Sequence, residues 1–283
     1  MMQARTIAEL REATAILRRD AGALALVPTM GALHAGHVAL VHAARESKAA
    51  AVASIFVNPL QFGPTEDLTR YPRDEAGDLA ALAAAGCALV WLPDVATMYP
   101  PGDVTTISVA GPAERWEGAA RPGHFRGVAT VCAKLFGQVR PDRAYFGEKD
   151  WQQLQVVRRM VADLHLPLEI VGVPTVRDAD GLALSSRNRF LNSAERAVAP
   201  RLHAVLRSVA MALAGGGPAS EPLAIARDEL TRAGFAVDYF ALVDGPGLEP
   251  LSSVRSGARL IAAVRLGAAA RLGAVRLIDN VAV

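Results

Sequence analysis

Cysteine is scarce: Cys87 and Cys132 are the only two in 283 residues. They stand far apart with neither C-x-x-C nor metal-ligand spacing, which excludes a disulfide framework and a zinc-finger type of site. Their expected role is that of small buried apolar groups in a reducing compartment. Lysine is also scarce: of 30 basic residues only Lys48, Lys134 and Lys149 are not arginine. A net charge of +2 leaves no electrostatic footprint for nucleic acid. No uncharged apolar run reaches the length of a membrane span, and residues 1–6 lack the apolar stretch of a signal peptide. A cytoplasmic protein without nucleic-acid or membrane partners is therefore expected. The G-x-x-x-x-G-K-[ST] phosphate loop and a Ser–His–Asp order are also missing.

What is there is a core. Hydrophobic residues make up 52%, mostly Ala, Val and Leu, enough for one or two domains. Thr6 and Glu9 have capping-box spacing, and Ile7, Leu10, Thr14 and Leu17 then follow a helical period up to Gly22. A short apolar run over 23–27 reads as a strand that ends at Pro28, and a helix follows to about residue 49. Residues 52–57 read as a buried strand. The long loop 58–73 is expected to be functional. A helix over 73–85 and a strand over 87–92 come next. Residues 93–123 are proline-rich and irregular, with alternation at 104–109 that suits a strand. Helical spacing covers 128–139, a strand 143–146, a helix 151–164 with Asp150 as its cap, and a strand 168–173. This alternation predicts an α/β fold: a Rossmann-like parallel sheet with helices on both faces. After a polar loop, one long helix over 193–214, a second over 221–233 and three strands predict a smaller C-terminal α+β domain. The division is placed at 1–183 for the Rossmann-like domain and 184–283 for the smaller C-terminal one.

Candidate chemistry clusters at the strand ends, where α/β sheets bind ligands. Strand, Met30-Gly31 turn and the His34-Ala35-Gly36-His37 helix start form a layout suited to phosphate. Free N–H groups and the helix dipole face an anion there, and two imidazoles add donors. Alone, the same stretch also fits a polar helix start with two solvated histidines. Asn58 and Gln61 follow the second strand. Gly147-Glu148-Lys149-Asp150 and Gln153 follow the 143–146 strand, and Ser185-Ser186-Arg187 lie in the last loop. Such a set suits a polyanion together with a polar organic substrate. His124, in Arg121-Pro122-Gly123-His124-Phe125-Arg126, is read as a loop residue.

Six stretches carry a resemblance. They are PTMGALHAGH at 28–37, SIFVNPLQFG at 54–63, RYPR at 70–73, RPGHFRGV at 121–128, YFGEKDWQQL at 145–154 and LSSRN at 184–188. In this order they resemble the pantothenate synthetase (pantoate–β-alanine ligase) family of the HxGH nucleotidyltransferase superfamily. The resemblance implies a ligase that adenylates pantoate with ATP, with Mg2+ as companion, and passes the acyl group to β-alanine. It implies a homodimer. It implies that Met30, Gly31, Ala32, Leu33, His34, Ala35, Gly36 and His37 wrap the nucleotide, with His34 and His37 on phosphate and His37 as proton donor. Gly147, Glu148, Lys149 and Asp150 would bind ribose and phosphate, with Lys149 as the charge clamp. Val176 would line the adenine pocket, and Leu184, Ser185, Ser186 and Arg187 would close over the triphosphate. Gln61 and Gln153 would hold pantoate, with Asn58, Tyr71 and Arg121 in the same substrate set. At 60 and 184 the family commonly has Met where this chain has Leu, a swap that conserves volume.

Overall fold

The computed structural model describes residues 1–64, 66, 68–267 and 274–283. Residues 65 and 67, within the long loop expected over 58–73, lie outside the described residues. In chain order come β1 (Met2–Ala4), α1 (Ile7–Ala21), β2 (Leu24–Thr29), α2 (Ala35–Glu46), β3 (Ala50–Ile55), α3 (Glu75–Ala84) and β4 (Leu89–Trp91). Two short helices, α4 (Val95–Met98) and α5 (Glu117–Ala120), precede α6 (His124–Val139), β5 (Arg143–Gly147), α7 (Trp151–Asp163) and β6 (Glu169–Val173). The six strands form one parallel sheet in the order β1-β4-β3-β2-β5-β6.

Strand alternation builds the two faces. Leu24 and Leu26 of β2 join Leu10, Leu135 and Leu154, so α1, α6 and α7 cover one side. Ala25 and Val27 join Leu40, Val41 and Leu82, so α2 and α3 cover the other. From β2 the chain moves outward through β3 and β4, then crosses back to β5 and β6. The reversal lies between β2 and β5, where a ligand crevice opens at the carboxyl ends of the strands. The β2–β5 ladder is registered only at Ala25↔Arg143 and Leu26↔Ala144. Pro28, which has no N–H to give, thus sits beyond the point where β2 leaves that neighbour.

The remaining chain holds α8 (Ser193–Val198), α9 (Arg201–Leu213), α10 (Ser220–Arg232), β7 (Phe235–Asp244), β8 (Ala258–Leu266) and β9 (Val275–Ala282). These three strands form an antiparallel sheet. Leu182, Leu202, Leu206, Leu230, Phe240 and Leu260 build a separate core beneath it. The fold is thus the expected α/β layer structure with a small α+β unit after it. Among the described residues no helix is long and apolar enough to cross a membrane.

Five local expectations need correction. The edge strand β1 is absent from the sequence reading, because three residues are too few to display a period. β2 does not stop before Pro28 but runs on to Thr29 against β3. The alternation at 104–109 makes no strand. Ile107 and Val109 pack on the core, and the Ile107 N–H donates to Thr130 Oγ1 of α6 at 3.0 Å, so a helix satisfies the pattern. Asp150 precedes α7 but makes no capping bond. The helix expected over 193–214 is two helices broken at Pro200, whose ring cannot continue the first one. The capping box of α8, Asn192 with Glu195, matches the expectation that the helix starts there.

Candidate active site

The turn after β2 is held from three sides. Gly31 and Ala32 both have positive φ, 77° and 50°. The buried Asp78 carboxylate of α3 accepts from the Ala32 N–H at 2.8 Å and the Leu33 N–H at 2.7 Å. A Cβ at Gly31 would stand 2.7 Å from Asp78 Oδ2, so only glycine fits. Thr29 Oγ1 donates to the Ser54 carbonyl at 2.7 Å, and Ser186 Oγ to the Ala32 carbonyl at 3.0 Å. Ala32 and Leu33 therefore spend their N–H groups on protein, behind the crevice. Asp78 escaped the sequence reading because nothing local ties it to residues 46 positions earlier.

The two histidines cap α2 through one nitrogen each. His34 Nδ1 accepts from the Gly36 N–H at 3.1 Å, and His37 Nδ1 from the His34 N–H at 3.3 Å. Backbone N–H groups only donate, so both rings carry their proton on Nε2 when neutral. The rings lie 4.1 Å apart, tilted by 38°. Burial, with the nearby Lys149 charge, holds His34 down at about 4. Burial, with His34 and Lys149, holds His37 at about 3. Both are neutral Nε2–H donors at pH 7.

Gln61 sits on a 3-10 turn, Pro59–Gln61, that α6 approaches closely. A Cβ at Gly127 would lie 2.2 Å from the Leu60 carbonyl oxygen and 2.6 Å from the Gln61 nitrogen. His124 belongs to the first turn of α6 rather than to a loop. Arg121 Nη1 lies 3.1 Å from its Nε2 and must donate there, so His124 Nδ1–H donates to the Gln61 carbonyl at 2.9 Å. Burial, with the Arg121 charge, pushes His124 down to about 4. Arg121 is heavily engaged: it pairs with Glu66 at 2.7 and 2.6 Å, and reaches Glu117 and the Gln61 carbonyl, each at 3.3 Å. Glu117 in turn receives both 2.6 Å bonds of Arg276 from β9, and the Tyr239 hydroxyl at 3.3 Å.

Lys149 lies on the 3-10 turn between β5 and α7, 3.8 Å from Asp150. Asn280 of β9 donates its amide to the Glu148 and Lys149 carbonyls, both at 2.9 Å. Arg259 donates to Asn280 Oδ1 and stacks 3.5 Å over the Trp151 ring.

These elements enclose a cavity of about 230 Å³ at the β2/β5 reversal. Of the sequence-predicted residues, Met30, His34, Gly36, His37, Asn58, Gln61, Tyr71, Arg121, Gly147, Lys149, Asp150, Gln153, Val176, Leu184, Ser185, Ser186 and Arg187 line it. Gly31, Ala32, Leu33, Ala35 and Glu148 do not; they form the backing turns. Ser185 accepts from the Arg187 N–H and so caps its own 3-10 turn. A larger cavity of about 540 Å³ adjoins it toward the second sheet, sharing Arg121, His124, Lys149, Asp150, Gln153, Ser185 and Arg187. His124, Glu117 and Arg276 are wall residues that the sequence reading did not assign.

A family description, Pantoate-beta-alanine ligase, matches residues 2–282. The chain belongs to this ligase family. It is 61% identical to the pantothenate synthetase of Acidiphilium cryptum, with all of both chains covered, and 59% identical to that of Rhizorhabdus wittichii, covering 100% and 99%. The crystal structure of pantothenate synthetase from Thermus thermophilus superposes with a TM-score of 0.91 at 51% identity, with 99% of each chain covered. The pantoate-beta-alanine ligase of Francisella tularensis, crystallised with beta-gamma ATP and beta-alanine, is 31% identical with a TM-score of 0.83, covering 100% of this chain and 97% of its own.

The depressed histidines set a pH dependence for this member of the ligase family. An unfolded chain protonates its imidazoles near 6.5, whereas the folded rings of His34, His37 and His124 wait until about 4, 3 and 4. Between those values the unfolded state binds more protons, so stability falls as pH drops from about 6.5 toward 4. Above that window these rings add no slope. Each contributes up to about 1.4 kcal/mol per pH unit. Urea unfolding of wild type and His37→Asn across pH 4–7 is expected to give a shallower slope for the variant. Equal slopes would rule out His37 as a contributor.

Proposed function

We propose that the chain is an ATP-dependent ligase that joins (R)-pantoate to β-alanine through pantoyl adenylate, releasing pyrophosphate and AMP. One observation carries this reading: two neutral imidazole donors, one lysine and two glutamines converge on one cavity at the sheet reversal. Family membership, and the ATP and β-alanine held by the Francisella relative, support it.

In the first step a pantoate carboxylate oxygen attacks the α-phosphorus and pyrophosphate leaves. Negative charge builds on the α-phosphate and on the leaving oxygens. His34 and His37 offer Nε2–H groups to that charge, and Lys149 offers a cation. Donors fixed in advance stabilise the transition state more than the ground state. An arriving triphosphate favours the imidazolium form of His37, which lets that ring give a proton to the leaving group. Met30 and Gly36 flank the nucleotide, Val176 lies against adenine, and Leu184 to Arg187 cover the phosphates. Gln61 and Gln153 hold pantoate, with Tyr71 and Arg121 nearby. In the second step the β-alanine amine attacks the acyl carbon, AMP leaves, and the amine loses a proton.

The resemblance implies Mg2+ as the companion of ATP. Among the described residues no group of three or more His, Cys, Asp or Glu side chains could hold a metal ion. That suits an ion carried mainly by phosphate oxygens and water, with at most one or two carboxylates. Asp150, on both cavity walls, would be its protein neighbour, and the ion would neutralise phosphate charge. Residues 1–183 and 184–283 act as an ATP- and pantoate-binding domain and a lid; each part has its own main core, with Leu182 packing in the second. A homodimer in the cytoplasm follows from the resemblance.

The test is pyrophosphate release from ATP that depends on pantoate, followed by AMP formation only when β-alanine is added. A nucleotidyltransferase acting on a phosphorylated acceptor, or a nucleotide-sensing module, would release no pyrophosphate with pantoate, and that result would overturn the reading.

A further inference from the structure

One glutamine of the cavity has an amide whose direction is fixed. Gln61 is 8% exposed, and its Oε1 accepts from Asn58 Nδ2 at 3.0 Å. Asn58, 1% exposed, has both amide ends engaged. Its Nδ2 also donates to the Gly127 carbonyl at 3.1 Å. Its Oδ1 accepts from the Leu60 N–H at 3.2 Å and from the Tyr99 hydroxyl at 2.7 Å. A backbone carbonyl only accepts and a backbone N–H only donates. These two contacts therefore decide which end of the Asn58 amide is which, and Asn58 decides it for Gln61. Gln61 Nε2 is left on the side of Met30, whose thioether sulfur lies 3.0 Å away. Sulfur is a weak acceptor, and a substrate oxygen there is a better one.

We propose that Asn58 and Tyr99 are positioning residues that make Gln61 present an N–H, and not a carbonyl, to the acid being activated. The relay selects a substrate with an acceptor oxygen, a carboxylate or hydroxyl, at that spot. It rests on the reading of Gln61 as an acid-binding residue. It also changes the role expected for Asn58, which acts through Gln61. Tyr99 lines neither cavity, yet it is the outermost donor of a chain that runs one way: hydroxyl to Asn58, Asn58 to Gln61, Gln61 to substrate. Donors aligned in this sense polarise one another. Burial pushes the Tyr99 hydroxyl above its usual pKa, so it stays protonated.

The test compares three variants by the KM of each substrate, with thermal midpoints alongside. Tyr99→Phe keeps the ring beside Phe56 and Lys134 and removes only the hydroxyl. It is expected to raise the KM for pantoate by about three- to tenfold, the worth of one ordinary hydrogen bond, with the KM for ATP unchanged. Asn58→Asp sets an acceptor-only carboxylate against two oxygens and is expected to lower kcat/KM for pantoate by about 100-fold. Gln61→Glu replaces the presented N–H by oxygen and is expected to raise the KM for pantoate at least as much as Tyr99→Phe. If Gln61→Glu leaves that KM unchanged, the reading of Gln61 as an acid-binding residue fails. If Gln61→Glu raises it while Tyr99→Phe has no effect, or raises the KM for ATP equally, the relay is overturned. A purely structural Tyr99 would lower the midpoint and disturb both substrates alike.

Discussion

Replacing His37 by alanine is expected to slow pantoate-dependent pyrophosphate release by about 10²–10³-fold, the usual loss on removing one transition-state donor. The Nδ1 of this ring is committed to the His34 N–H, so Nε2–H is the group available to the phosphates. Alanine removes that donor and also leaves the His34 N–H without its acceptor. His37→Gln, which supplies both an acceptor and an N–H, should regain part of the rate. Attack of β-alanine on preformed pantoyl adenylate should suffer less, because the pyrophosphate has already gone. Single-turnover measurement of the two half-reactions separates these effects. An alanine variant within a few-fold of wild type would show that His37 is not a key group.

The second large effect is expected at a residue with no side chain, Gly127. A methyl group there would overlap the Leu60 carbonyl, and backbone cannot rotate away as a side chain can. Helix α6 would have to retreat from the Pro59–Gln61 turn, carrying the Gly127 carbonyl away from Asn58. Gly127→Ala should cost about 2–4 kcal/mol of stability, as overpacking against rigid neighbours does. It should also raise the KM for pantoate by about tenfold or more, because Gln61 moves with its turn. Denaturant midpoints and initial rates report both. Wild-type values for each would mean that the helix and the turn adjust without loss.

The contrast between these two positions explains what could be read in advance. His34 and His37 stand in a local pattern, three residues apart after a strand and a glycine turn, and such patterns survive in one dimension. The sheet was legible for the same reason: Ala50–Ile55 and Leu89–Trp91 are short β-branched or apolar runs bounded by turns. Asp78, Glu117 and Arg276 carry no such pattern. Glu117 and Arg276 lie 159 residues apart and meet only once both sheets are folded. The alternation at 104–109 misled because period 2 records exposure on one side, whether a strand or a helix lies beneath. The helix expected over 193–214 divides because Pro200 has no N–H to donate and its ring clashes with the preceding turn. Arg121 was expected to bind substrate, and it stands on the cavity wall; Glu117 and His124 are local partners, whereas Glu66, 55 residues away, is one that no local pattern links to it.

The amide of Asn280 that clamps the Lys149 turn lies 131 residues further along the chain. During synthesis the histidines and the lysine emerge well before the group that clamps their cationic side. The crevice is therefore completed by sequence made later, and a nascent or nicked chain lacking β9 has His34, His37 and Lys149 but not the brace on the Lys149 turn. Making β9, in this molecule, is part of assembling the site.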